Sequence, residues 1–267
     1  MLIVNEKELF FVHVPKCAGT YVKSLLVGLD SYPGQFDRVK KHEVIGLVDY
    51  THLPLTVLHD YFPSEFLKLT KYNSFSIIRN PYERFQSSVA QYLKMYCGGP
   101  IHSFPVDELH NHVKKIIEEI YRSNDKEVLP YKLIHFQPQH SYLYLNGELI
   151  VSNIFCQEDV GQVHQYLSRV IGPEILAADT DYKLDSYARN SSKIYSSKIV
   201  RLLLDNGIFS LRKIFYKIIP YPIKNRLKNI LMKDVPAGYL NDKDISVFVN
   251  DFYKRDIEMY SKFKRQG

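Results

Sequence analysis

Lys16-Cys17-Ala18-Gly19-Thr20 puts a mobile positive charge, a residue without a side chain and a hydroxyl into five positions. That combination suits a phosphate: Gly19 allows close backbone approach, Thr20 can donate its hydroxyl, and Lys16 adds charge. A second group, Arg79 and Ser87, stands eight residues apart further along. Its guanidinium and hydroxyl can grip one phosphate, the arginine through a bidentate fork. Arg84 lies between them, and it can serve structurally instead, paired with Glu83 or with a buried carboxylate. Between the two groups stands His52, whose imidazole can take a proton near neutral pH. On residue types alone, the first group also reads as an ordinary strand–helix turn with a solvated lysine, and His52 as a cap on the helix that follows.

These groups need particular elements to position them. Leu9-Phe10-Phe11-Val12-His13-Val14 is a short apolar run closed by Pro15, as expected of a buried parallel strand. Helical spacing follows over 21–27 and ends near Gly28, so the first group sits between a strand and the positive end of a helix. Residues 31–42 read as loop, and 53–69 as helix with breaks at Pro54 and Pro63. A second apolar strand covers 74–78, with Arg79 leaving its carboxyl end, where open α/β sheets bind ligands. Pro81 suits the first turn of a helix over 82–95, which Cys97-Gly98-Gly99-Pro100 stops. A helix over 106–122 and a third strand over 149–155 complete an α/β pattern with a mostly parallel sheet flanked by helices.

Several chemistries are disfavoured. The pattern G-x-x-x-x-G-K-[ST] of ordinary ATPases and GTPases is absent. A cysteine phosphatase would need arginine six positions after its nucleophile, and the residue six after Cys17 is Lys23, so Cys17 reads as a packing residue. The three cysteines are far apart, and His110 and His112, two apart on a helix, diverge; no metal is expected. His13 lies inside the first strand and reads as core. His140 and His59 are lesser candidates for the base, lining a cleft or exposed.

Phe11-Val12-His13-Val14-Pro15-Lys16-Cys17-Ala18-Gly19-Thr20-Tyr21 resembles the 5′-phosphosulfate loop of sulfotransferases that use 3′-phosphoadenylyl sulfate (PAPS). Ile77-Ile78-Arg79-Asn80-Pro81-Tyr82-Glu83-Arg84-Phe85-Gln86-Ser87 is similar to their 3′-phosphate motif. The branch it looks most like is the carbohydrate type, typified by heparan sulfate 2-O-sulfotransferase and its bacterial relatives. Looser likenesses are Phe136-Gln137-Pro138-Gln139, Ile154-Phe155-Cys156-Gln157-Glu158-Asp159, Asn190-Ser191-Ser192-Lys193 and Phe252-Tyr253-Lys254-Arg255-Asp256. Cys17-Ala18 departs from the Thr-Gly of many relatives, removing a hydroxyl and a flexible position. The resemblance implies a P-loop NTPase-like sulfotransferase fold in one domain over 1–267, with a helical C-terminal part. It implies that Lys16, Cys17, Ala18, Gly19, Thr20 and Tyr21 hold the 5′-phosphate side of PAPS, Arg79 and Ser87 its 3′-phosphate, and that Ser191 and Lys193 lie near the nucleotide. Lys16 would neutralise the departing oxygen, and His52, in Thr51-His52-Leu53-Pro54-Leu55, would be the catalytic base. The implied acceptor is a carbohydrate hydroxyl, PAP is the product, and no metal is required. A nucleotide-binding or membrane-associated module without chemistry, and a kinase of non-Walker type, are the alternatives.

The 267-residue chain carries a net charge of +6, enough to suit an anionic ligand or surface but too little to imply nucleic acid. Its charged fraction of 24% and apolar fraction of 45% are ordinary for a soluble globular protein. No signal peptide is recognisable at the N-terminus, and cysteine usage fits a reducing compartment, so a cytoplasmic location is expected. Residues 199–233 carry eight Lys/Arg against one acid, Asp205, among regularly spaced apolar residues. That stretch could lie on an anionic membrane at the inner surface, clamp an anionic polysaccharide, or pack on the core with a solvated basic face.

Overall fold

The computed structural model describes residues 1–123, 127–173, 193–195, 232–234 and 243–265. A four-stranded sheet carries β1 (Leu2–Val4), β2 (Leu9–Val12), β5 (Asn73–Ile78) and β8 (Asn153–Cys156) in that spatial order. β2, β5 and β8 run parallel, whereas β1 turns back antiparallel on the edge with Leu2 opposite Phe11. Every residue of β1 and β2 is buried, which fits sequences with no polar face. Phe10 pairs with Ser74 and Phe75 with Asn153, so the carboxyl ends of β2 and β5 lie side by side.

Helices flank this sheet. α1 (Gly19–Leu26) follows β2 directly, and α2 (Leu55–Tyr61) and α3 (Pro63–Lys71) fill the crossover to β5, split at Pro63 as the sequence indicates. α4 (Pro81–Tyr96) starts with Pro81 in its first turn, and the Asn80 side chain accepts the Tyr82 N–H as its cap. α5 (Val106–Arg122) spans the expected residues. α6 (Val160–Ile171) and, near the end of the chain, α7 (Lys243–Phe252) and α8 (Lys254–Lys264) complete the helices among the described residues. One apolar cluster surrounds the sheet, and a second lies between α4, α5, α7 and the 131–136 turn around Phe85, Phe136 and Tyr253. No described helix is long and apolar enough to cross a membrane.

Two short hairpins depart from the sequence reading. β3 (Val39–His42) pairs with β4 (Gly46–Asp49) within and beyond the expected 31–42 loop, where Lys40 and Lys41 hide the strand signal. β6 (Tyr144–Leu145) pairs with β7 (Glu148–Leu149) around Asn146 and Gly147, at φ 52° and 86°. Those positive angles are what a tight two-residue hairpin requires. The third parallel strand therefore starts at Asn153 rather than 149, because Leu149 belongs to that hairpin. β9 (Lys193–Tyr195) pairs with β10 (Met232–Asp234). Ser191 and all of 199–233 except 232–233 lie outside the described residues.

Candidate functional site

The loop 13–18 joins β2 to α1. Lys16 and Ala18 both have left-handed backbones, at φ 64° and 57°. Alternation of this kind turns successive N–H groups toward one concavity; the Tyr21 N–H is taken by the Ala18 carbonyl at 3.0 Å, and the N–H groups ahead of it at the helix start suit an anion. Gly19 has no room for a side chain: a Cβ there would sit 1.8 Å from Nε2 of His13. The close approach that glycine permits at this position is thus to a histidine ring. Thr20 is exposed, whereas Tyr21 and Cys17 are buried. The Cys17 thiol faces inward, against the Pro15 carbonyl and Gln139 Oε1 at 3.4 and 3.2 Å, and burial pushes it up to about 12. It packs and stays a thiol, and only its main chain can serve an anion.

Lys16 reaches across to α4, where its Nζ donates to Gln91 Oε1 at 3.2 Å. Gln91 lies one helical turn beyond Ser87, so the lysine of the first motif meets the helix face of the second. Burial, reinforced by the nearby Arg79 guanidinium, lowers the Lys16 ammonium to about 8. Arg79 leaves the carboxyl end of β5, and its Nε and Nη2 donate to Glu83 at 3.2 and 3.1 Å. That carboxylate is exposed, so a bound phosphate could displace it at little cost. Ser87 is buried on the same helix.

Arg84 takes the structural role, through a buried carboxylate rather than Glu83. It is fully buried, lies 3.9 Å from Asp256 of α8, stacks over the Tyr253 ring, and donates Nη1 to the His135 carbonyl at 3.0 Å. Asp256 also accepts the Gln139 and His140 N–H groups at 2.6 and 2.9 Å and holds His140 Nδ1 at 2.8 Å. Removing one partner leaves a buried charge, so Asp256→Ala or Arg84→Met is expected to destabilise the protein by about 3–5 kcal/mol. Urea denaturation measures this, and a loss below about 1 kcal/mol would show the pair to be dispensable.

Gln139 ties the two motifs together. Its side-chain amide accepts from the Arg79 N–H and donates to the Arg79 carbonyl, both at 2.9 Å, while Oε1 also receives the Cys17 thiol. The side chain thereby extends strand-like pairing one residue beyond Ile78.

His52 is buried at the start of the segment that enters α2. Its Nδ1 lies 2.9 Å from the His13 carbonyl, which can only accept, so the proton is on Nδ1 and the lone pair on Nε2. Its ring meets those of His13 and His135 edge-on, at 4.3 and 5.4 Å. Burial holds His52 and His135 near pKa 3, with Lys16 among the charges that lower both, and burial keeps His13 well below its ordinary value. All three are neutral at physiological pH. His52 lines a cavity of about 330 Å³ with Asp49, Val57 and Tyr131. A larger cavity, about 1200 Å³, is lined by His140, Tyr144, Arg255 and Lys262. His59 is exposed and paired with Asp60, away from both roles. The side chain of Lys193, in β9, is not among those described.

A mostly parallel α/β sheet thus carries two cationic motifs at the carboxyl ends of its neighbouring central strands β2 and β5, an arrangement that suits an anionic ligand. Over residues 1–263 the chain matches the family model described as the sulfotransferase family, and it belongs to that family. It is a transferase of sulfo groups, in a family that generally takes them from PAPS. No curated protein and no solved structure matches the chain.

Gln91, Gln139, His135 and Asp256 are the site residues that sequence reasoning did not assign. Gln91 was within reach, since Ser87 and Gln91 are four apart on a helix whose start is clear. Gln139 and Asp256 lie in segments that carry the looser family likenesses, though no role was read for either, and no local spacing marks His135.

Proposed function

We propose that the chain moves a sulfuryl group from PAPS to a hydroxyl of a carbohydrate acceptor, an oligo- or polysaccharide or a glycolipid. The observation that carries this reading is the contact of Lys16 with Gln91, which sets the loop lysine beside the helix of Arg79 and Ser87. Two cations stand near each other there, and among the described residues only Arg79 of the two is paired, with one exposed carboxylate, a balance that favours a ligand bearing several phosphate charges. PAPS supplies an activated sulfuryl group and a phosphate leaving group. The N–H groups of 16–20 and the Thr20 hydroxyl hold the 5′ side, and Arg79 with Ser87 holds the 3′-phosphate, as in a phosphate-loop fold. Ser191 and Lys193 join the nucleotide side on the family resemblance.

Lys16 offsets the charge that develops on the departing oxygen. His52 presents Nε2 as proton acceptor, and its Nδ1–H stays on the His13 carbonyl throughout. The cavity beside His52 gives the acceptor hydroxyl a place to stand. The carbohydrate class rests on the likeness to the glycan branch. The basic stretch 199–233, outside the described residues except 232–233, suits contact with an anionic cytoplasmic membrane surface, which flotation with anionic vesicles would test.

Arg79→Ala is expected to lose PAP affinity by at least tenfold in calorimetry, whereas His52→Ala keeps PAP affinity and loses turnover. Undiminished PAP binding by Arg79→Ala would remove the second phosphate grip, and an active His52→Ala protein would return the base role to another group. ATP displacing PAP with a strict magnesium requirement would favour a kinase instead.

A further inference from the structure

We propose that Asp49, His52 and His135 form a binding site for a divalent transition-metal ion of the zinc class, and that an ion there blocks turnover by occupying the lone pair of His52. One ligand atom from each residue lies within 4.8 Å of the other two. A tetrahedral zinc ion with bonds of ~2.1 Å holds its ligand atoms ~3.4 Å apart, so side-chain rotations of about an ångström close the site. The residues come from three segments: the end of β4, the turn before α2, and the 131–136 turn. No chain spacing announces them.

His52 is already arranged as metal-binding histidines are. Its Nδ1–H is fixed on a backbone carbonyl at 2.9 Å, which aims the ring and leaves Nε2 for an ion. The His135 ring crosses that of His52 at 76° and is half-buried beside it. Asp49 contributes the negative charge; one of its oxygens accepts the Thr51 N–H at 2.9 Å, which fixes the carboxylate and leaves its other oxygen for coordination. Asp49 and His52 both border the cavity of about 330 Å³, which provides an entry path and room for water as the fourth ligand. Two imidazoles and one carboxylate favour zinc over magnesium or calcium, which prefer all-oxygen shells. The inhibitory part of the proposal rests on His52 being the base; the ion site itself does not.

The test is calorimetric titration of the chelator-treated full chain with zinc chloride, alongside Asp49→Asn and His135→Gln. One ion per chain is expected, with affinity at least tenfold weaker in each folded variant. Equal affinity in both variants would overturn the site by placing the ion elsewhere. Should the variants not fold, the cobalt(II) spectrum of the unaltered chain decides. Intense visible bands of a low-coordinate ion without thiolate charge transfer support the site, and a weak octahedral spectrum or a thiolate band overturns it. Zinc should also suppress PAPS turnover in step with occupancy. A fully active His52→Ala protein would end the base assignment and the inhibition while leaving the binding result to judge the site.

Discussion

Lys16→Ala is expected to reduce PAPS turnover by about a thousandfold, the scale seen when a preorganised donor to a developing charge is removed. The lysine is held in place by its left-handed backbone and by Gln91, so its ammonium is set before a ligand arrives. Arg79 cannot replace it, because Arg79 leaves a different strand and is paired with Glu83. On the proposed function, the same ammonium should make nucleotide binding depend on pH. In the free protein it ionises near 8, chiefly through burial, and a bound polyanion must raise that value. PAP affinity should therefore hold steady below about pH 8 and fall above it, by up to about tenfold per pH unit. Calorimetry between pH 7 and 9 reads both effects. A Lys16→Ala protein with near-normal turnover, or one retaining the alkaline fall in affinity, would strip Lys16 of this role.

Mild acid should destabilise the protein severely. His13, His52 and His135 are kept neutral in the fold, with values near 3 for the latter two, against about 6.5 in an unfolded chain. As the pH falls below about 6.5 the unfolded chain takes up protons that the folded one refuses, so stability declines until the folded values are reached. For three such groups the loss between pH 7.5 and 5.5 is about 4 kcal/mol, a large part of an ordinary domain's stability. Urea denaturation with chelator present measures it, and His135→Gln should remove about a third of the slope. Equal stability at both pH values would mean that these rings are solvated or paired in the folded protein.

The parts of the fold that repeat a simple rule were legible in the sequence. Apolar runs ahead of Pro15 and Arg79 marked β2 and β5, and the proline at position 81 marked the start of α4. What failed was local structure without an apolar signature. Lys40 and Lys41 concealed β3, and the Asn146-Gly147 turn was not read, so Leu149 of its hairpin was taken as the start of the third parallel strand. For the site, residues adjacent in sequence were readable as motifs. Partnerships between distant segments were not: Arg84 reaches Asp256 across 172 positions, and that carboxylate is fully buried although Lys254 and Arg255 beside it are exposed. His13 shows the same limit: it was read as a core residue inside the first strand, whereas it is buried one residue past the end of β2, and only the fold reveals that its carbonyl orients His52.

The bridge made by Gln139 has a thermodynamic consequence. Because one carboxamide fastens Arg79's backbone to the Cys17 loop, the two proposed phosphate grips cannot drift apart independently, and on the proposed function the pair would work as a gauge of fixed span. Once a ligand engages one end, the other meets its partner at a high effective concentration, and the second contact adds affinity without a second loss of free translation. A nucleotide carrying only the 5′ group or only the 3′ group forfeits that gain. Loosening the gauge with Gln139→Ala should weaken PAP far more than it weakens either singly phosphorylated nucleoside, although no residue that touches a phosphate has been changed.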